Sequence, residues 1–469
     1  MIHIFPFDCA NRGRSVAWRH KRLLIVLIVF IVSLPPGASS QKNGTADSIP
    51  AFSLDDCINY ALHHQPSVYQ SAIDISIAKT TNAINLSGWL PQISLSGSYV
   101  HYNQLPTTLE PNTAAPGGPP VPTHVGVINT AIPQLSASET IFDPELLYSA
   151  KSASLRVQQA EQSSDSTKIN IVSSVSKSFY NLLLTIQQIN ILKEDTARLG
   201  EDVADAYHQY VAGIVDETDY EQAIITLNNS KAQLKQQVEN ETPGYALLKQ
   251  AMGYPVDGQL SVISDTARMM REIAFDTTQA LEFGKRIEYR QLQTAKELQQ
   301  QLSAFYRLSF LPSISATFNY LYEYESNTSA ALFRNAYPYS YIGLSFSLPI
   351  FTGLSRVENI HRSELQEQAF DWAETDLRSQ IYTEYATALG AYKSSLYNLR
   401  LLDDNKQRAA SVYRVVSLQY KQGVVAYLNI IIAESNLITA EIGYTDALFQ
   451  LLESKIDLER AMGELSYNH

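Results

Sequence analysis

Residues 145–211 and 354–421 contain no proline, and each stretch is interrupted by a single glycine, Gly200 in the first and Gly390 in the second. At 1.5 Å of rise per residue, a helix over either stretch would extend about 100 Å, far beyond what one globular core can cover. Within the first, Val172, Val175, Phe179, Leu182, Ile186 and Ile189 recur at steps of 3 and 4, and Ile381, Tyr385, Ala388 and Tyr392 do the same in the second. That spacing is the seam of a coiled coil. Taken alone, the helices suit a solid bundle or filament as readily as the wall of a tunnel.

The two stretches belong to a duplication of about 210 residues. Leu90-Pro91 corresponds to Leu311-Pro312, Ile141-Phe142 to Ile350-Phe351, Tyr210 and Gly213 to Tyr420 and Gly423, and Ala251-Met252-Gly253 to Ala461-Met462-Gly463. The plan predicted for each half is a lead-in helix (53–88, 276–309), a strand, a loop, a second strand, the long helix, a turn at the glycine, and a shorter returning helix. The lead-in helices should end at Leu-Pro, because the residue before a proline is pushed out of the helical region. Gly213 and Gly423 fit left-handed caps that reverse the chain.

The segments after Leu-Pro switch to period two. Ile93, Leu95, Gly97 and Tyr99 alternate with Gln92, Ser94, Ser96 and Ser98; Ile314 through Tyr324 alternate with Ser313, Ser315, Thr317 and Asn319; and Ile342 through Ile350 alternate with Gly343, Ser345, Ser347 and Pro349. Ala131–Ile141 repeats the pattern less cleanly, with Glu139 where Leu348 stands in the other half. Strands of this length, apolar on one face and with tyrosines near the loop ends, match a bilayer crossing as well as a half-buried soluble sheet. The loops between them, 103–130 and 325–338, suit the outer rim of a barrel.

Arg12, Arg14, Arg19, Lys21 and Arg22 precede an uncharged apolar run from Leu23 to Leu34 and a small-residue segment ending in Ala38-Ser39-Ser40. That order predicts a signal peptide over residues 1–40. The run is short of the roughly 20 residues a spanning helix needs. Cys9 would leave with it, so Cys57 has no partner for a disulfide. The five cations and Asp8 of that segment, subtracted from the chain total of −12, leave −16 on the rest. Nucleic acid is a poor partner for such a surface.

With its Leu-Pro strand entries, Ile-Phe exits, Tyr-x-x-Gly tips and closing Met-Gly all duplicated, the chain resembles the TolC-like outer-membrane efflux proteins over residues 53–465. The resemblance implies an α+β membrane fold. Four strands per chain would build one twelve-stranded barrel in a homotrimer, continued by a helical coiled-coil tunnel into the periplasm. The halves then run from 41 to 260 (strand pair about 90–142, hairpin about 145–252) and from 261 to 469 (strand pair about 311–351, hairpin about 354–463).

The implied function is a passive conduit in the outer membrane of a Gram-negative bacterium, set in outer-membrane lipid, serving efflux or type I secretion. It would dock on a periplasmic adaptor (membrane fusion) protein and an inner-membrane RND or ABC transporter. The implied tip and docking positions are Tyr210, Gly213, Asp219, Tyr420, Gly423 and Asn429. In some relatives an aspartate of the first tip, matched here by Asp219, and an arginine and two aspartates of the second tip belong to the closed gate. Here Val425, Asn429 and Ile432 stand at the second-tip places, so the resemblance carries no complete charged gate over. The rival reading is a non-channel periplasmic coiled-coil scaffold or adhesin whose strands pack in a soluble domain.

Nothing points to an enzyme. His63-His64 lacks companions at metal spacing, no glycine-rich phosphate loop follows a strand, and Asp55-Asp56 suits the start of a helix. No cofactor is expected.

Overall fold

The computed structural model describes residues 51–111, 117–263, 269–271 and 273–465, so the expected signal peptide lies outside the described residues. Helix α1 (Leu54–His64) starts with a reciprocal cap: the Ser53 hydroxyl accepts from the Asp56 amide, and the Asp56 carboxylate accepts from the Ser53 amide at 3.0 Å. It stops at Gln65, which is extended because Pro66 follows. Helix α2 (Pro66–Leu86) then runs to the sheet. The lead-in of the first half is therefore two helices rather than one.

The chain next forms strand β2 (Gln92–His101), a hairpin of β3 (Thr107–Glu110) and β4 (Val121–His124), and strand β5 (Asn129–Phe142). Strand β1 (Ala51–Phe52) pairs in parallel with β6 (Ser261–Val262). In the second half, the lead-in helix α5 (Ile287–Leu308) starts eleven positions later than the 276 expected, after an extended Arg286. Strands β7 (Ser313–Ser326) and β8 (Ala336–Ser347) follow. The ribbon β3–β4 occupies what reads in sequence as loop. Strand β8 ends before Leu348, where Pro349 supplies no amide donor.

Four strands make one antiparallel sheet in the order β2-β5-β7-β8, so the two halves are joined through β5 and β7. Register gives the sheet one mainly apolar and one mainly polar face. Leu95 pairs with Leu135, Leu135 with Tyr320 and Tyr320 with Ser340; two residues on, Ile93, Ala137, Phe318 and Ile342 form the next row. Those rows are apolar except at Ser340 on β8. The alternate rows carry Ser94, Ser136, Asn319 and Tyr341, and Ser96, Gln134, Leu321 and Tyr339. The Asn319 side-chain oxygen accepts from Gln134 at 2.6 Å and from Ser136 at 2.8 Å, which ties the polar face together. Glu139 is on the apolar face opposite Ala316, one row from the helical end.

Among the described residues, strands β2 and β8 have no neighbour on their outer sides. Their residues are exposed almost throughout, whereas β5 and β7 between them are largely covered. Such an edge is a template for another strand.

Asp143 caps α3 (Pro144–Val211) by accepting from the Glu145 amide at 2.8 Å, and Pro144 occupies the first turn, where its missing donor costs nothing. Helix α4 (Glu217–Met252) returns beside it; α6 (Ser355–Lys421) and α7 (Tyr427–Met462) repeat the hairpin. Helix α3 packs on α7, which joins the hairpins. The main core lies where Val172, Val175, Phe179 and Leu182 of α3 meet Leu451, Leu452 and Leu458 of α7. No helix among the described residues is long and apolar enough to cross a membrane.

Each returning helix ends in a left-handed glycine that also lies against the lead-in of its own half. At Gly253 (φ 67°) an added Cβ would come within 2.8 Å of the Gln65 Cα, and at Gly463 (φ 73°) within 2.7 Å of the Lys285 carbonyl carbon. The last carbonyls are capped across the same contact: the Gln65 amide donates to Ala251 at 3.2 Å, and the Arg286 guanidinium to Ala461 at 3.1 Å. Both lead-ins must stay extended at Gln65 and Arg286 to make this seat, which explains why the first is split in two and the second starts only at Ile287.

Candidate functional site: the helical tip and its buried seam

Both hairpin turns close in the same way. After α3, the Gly213 amide donates to the Tyr210 carbonyl at 2.9 Å and the Ile214 amide to the Gln209 carbonyl at 2.9 Å; after α6, Gly423 and Val424 bond Tyr420 and Gln419 at 2.8 and 2.9 Å. Gly213 (φ 73°) and Gly423 (φ 69°) are left-handed, so glycine is the residue these turns favour. A Cβ at either would meet no atom within 4 Å.

The other four tip positions are not equivalent. Tyr210 is 38% exposed and stacks on Tyr220, with centroids 6.2 Å apart. Tyr420 is 1% exposed and lies 5.5 Å from the Tyr427 ring, in a small core with Ala206, Ala223 and Ile430. Asp219 is in the first turn of α4, half-buried, with its amide donating to the Asp216 carbonyl. Asn429 is exposed in the first turn of α7 and donates to the Ala426 carbonyl at 3.3 Å. The structure thus brings Tyr420 inside and leaves Tyr210, Gly213, Gly423 and Asn429 on the surface. Val424, Leu428 and Ile432 are more than half exposed, so the outer face of the second tip is apolar.

Behind the tip lies a group of residues that the sequence reading passed over. The buried positions of α3 step through Leu192, Asp195, Leu199, Asp202 and Ala206, and those of α7 through Tyr427, Ile430, Glu434 and Leu437. The steps are 3 and 4, so three carboxyl groups occupy coiled-coil core positions. The signal was present in the sequence as acids interrupting an apolar heptad. Glu441, seven residues past Glu434, continues the row.

Arg198 is the guanidinium among them. Its Nε donates to Glu434 Oε1 at 2.9 Å, and Nη2 lies 3.5 Å from Asp195 Oδ1 and 3.7 Å from Glu441 Oε2. The Ser230 hydroxyl of α4 donates to Asp195 Oδ2 at 2.6 Å. Glu434 Oε2, Asp202 Oδ2 and the hydroxyls of Tyr420 and Tyr427 are buried without a hydrogen-bond partner. Burial, followed by a hydrogen bond with Asp195, pushes the Glu434 carboxyl up to about 8. Burial, with Asp205 beside it, pushes Asp202 up to about 6.

This sheet, with one apolar and one polar face, and these paired long hairpins are the parts of a membrane channel rather than of a soluble scaffold. The outer membrane efflux protein family matches over residues 57–253 and 287–464, one stretch in each half. The chain belongs to the outer membrane efflux protein family. It is therefore an outer-membrane efflux channel subunit and not an enzyme.

Solved structures give this efflux protein its fold at low identity. The outer membrane protein VceC of Vibrio cholerae is 16% identical, with a TM-score of 0.69 over 87% of this chain and 96% of that one. The CmeC outer membrane channel of Campylobacter jejuni is 18% identical, with a TM-score of 0.68 over 89% and 87%. The open state of the MtrE outer membrane channel of Neisseria gonorrhoeae is 18% identical, with a TM-score of 0.67 over 88% and 90%. No curated protein matches this efflux protein by sequence.

Proposed function

We propose that three copies of the chain close a twelve-stranded barrel, with β8 of each copy pairing to β2 of the next. The helices of the trimer then form a periplasmic conduit whose tips dock on an adaptor protein coupled to an inner-membrane RND or ABC transporter. The observation that carries this reading is the sheet: four strands, two open edges, one apolar face and one polar face. Four strands are too few for a barrel whose smallest single-chain form has about eight, so copies must share one. The apolar rows then face lipid and the Ser, Gln and Asn rows face the lumen.

The adaptor would meet the exposed turns. Gly213 and Gly423 have open space around them, so a bulky side chain there projects outward and costs only the left-handed backbone, about 1–2 kcal/mol each. The Gly213→Trp, Gly423→Trp double variant is expected to assemble in the outer membrane at normal levels and to lose most efflux and most crosslinking to the adaptor. The corresponding asparagine pair, which tolerates the left-handed conformation, should retain both. Unchanged adaptor crosslinking in the tryptophan variant would remove the tips from the docking surface.

A further inference from the structure

We infer that Glu434 keeps a proton beside Asp195, and that this proton latches hairpin α3–α4 to hairpin α6–α7 behind the tip. The two carboxyl groups project from α3 and α7, the helices that join the hairpins, and both are almost fully buried. Glu434 Oε1 takes the Arg198 Nε–H, and Asp195 Oδ2 takes the Ser230 hydroxyl. Oε2 of Glu434 has no donor, and the one guanidinium of Arg198 reaches both carboxyls, 2.9 Å from Glu434 Oε1 and 3.5 Å from Asp195 Oδ1. Two buried anions on one cation leave a charge unbalanced. A proton on Glu434 gives that carboxyl a hydrogen to donate, leaves a single negative charge on the pair, and lets Arg198 balance it.

Charged and titratable neighbours surround the pair from every element packed on it. Helix α3 adds Glu194, Glu201, Asp202 and Asp205; α4 brings the Ser230 hydroxyl and, nearer the tip, Asp219. Helix α6 brings Lys406, Tyr413 and Tyr420, with Lys421 held 3.5 Å from Asp205; α7 brings Tyr427 and Glu441. Acids outnumber bases, so the surroundings reinforce proton retention. When the hairpins part, the pair meets water, the proton leaves to solvent, and Glu434 ionises.

The sign follows. In the closed seam Glu434 is raised from its ordinary 4.5 to about 8, so the latch is fully present below 4.5 and is lost as the pH rises through 8. Opening of the seam should increase about tenfold per pH unit in that window and level off above it. Acid tightens the tip and mild alkali loosens it. Asp202, which titrates lower, contributes little above pH 6.5.

Amide hydrogen exchange on the assembled full-length protein, corrected for intrinsic rate, reads this directly. Peptides from 427–441 are expected to open about fifteen-fold more readily at pH 8 than at pH 6.5, while 442–462 stays protected. In E434Q the amide donates to Asp195 in place of the proton, so the same peptides should be flat with pH and as protected as the parent at pH 6.5. D195N should be flat too and stands in if E434Q fails to assemble. A flat parent profile, or a variant that titrates like the parent, would overturn the latch. The exchange readout does not involve conduction or docking, so a failure of the channel reading and a failure of the latch would be told apart.

Discussion

A Leu344→Arg variant is expected to vanish from the outer membrane, while Ser345→Arg, one residue further along the same strand, is expected to insert. Leu344 is 76% exposed in the single chain and lies in a row with Ala316 and Glu139 on the apolar face. Ser345 pairs with Ser315 on the polar face. If the sheet is a barrel wall, position 344 contacts lipid and position 345 contacts the water of the lumen. An arginine toward lipid costs about 2–4 kcal/mol near the bilayer midplane, and the cost is repeated in every copy. Toward the lumen it costs almost nothing. Oligomer recovered from outer-membrane fractions should fall more than tenfold for L344R and less than twofold for S345R. In a soluble sandwich the apolar face would be the core and 345 the solvent side, so fractionation of S345R must also place it in the membrane.

The second large effect is predicted at the seat of the returning helix. Gly463→Val should lower stability by about 3–5 kcal/mol, combining the left-handed penalty of a branched residue with overpacking against backbone. The atoms in the way are the Lys285 carbonyl group and the Arg286 amide, at 2.7 to 3.0 Å, and none is the end of a flexible side chain. Gly390→Ala provides the contrast. That glycine is inside α6 with nothing within 4 Å, so the added methyl should stabilise by roughly 0.4–1 kcal/mol. Thermal unfolding of the purified oligomer checks both, and equal midpoints would deny Gly463 its packing role.

The sequence made the long helices, the duplication and the strand pairs legible because each depends on local periodicity. The 3- and 4-residue steps around Phe179 and the alternation around Leu95 are fixed by neighbours in the chain. What it hid depends on contacts between distant segments. Gln65 and Arg286 are both extended because a glycine about 180 residues later must lie against them; Pro66 announces this in the first half and nothing announces it in the second. Tyr210 and Tyr420 look alike in the alignment of halves, yet only Tyr420 has Tyr427 to pack on, since residue 217 at the matching place is glutamate.

The buried acids form an intermediate case. Asp195, Asp202 and Glu434 were readable as carboxyl groups at apolar heptad positions, but which helix faces which was not. Only the packing of α3 on α7 brings Arg198 to Glu434 and sets Asp195 beside it. The hairpin β3–β4 went unread for a different reason: its four-residue strands are too short for alternation to stand out from a loop.

The central claim is that open strand edges on one chain are closed by other copies of it. Native mass spectrometry of the protein extracted from outer-membrane vesicles into mild detergent tests this in one measurement. A complex of three chains is expected, each lacking the signal segment, with no free monomer at the extraction concentration. A monomer, or a species whose mass is not three chains, would contradict it.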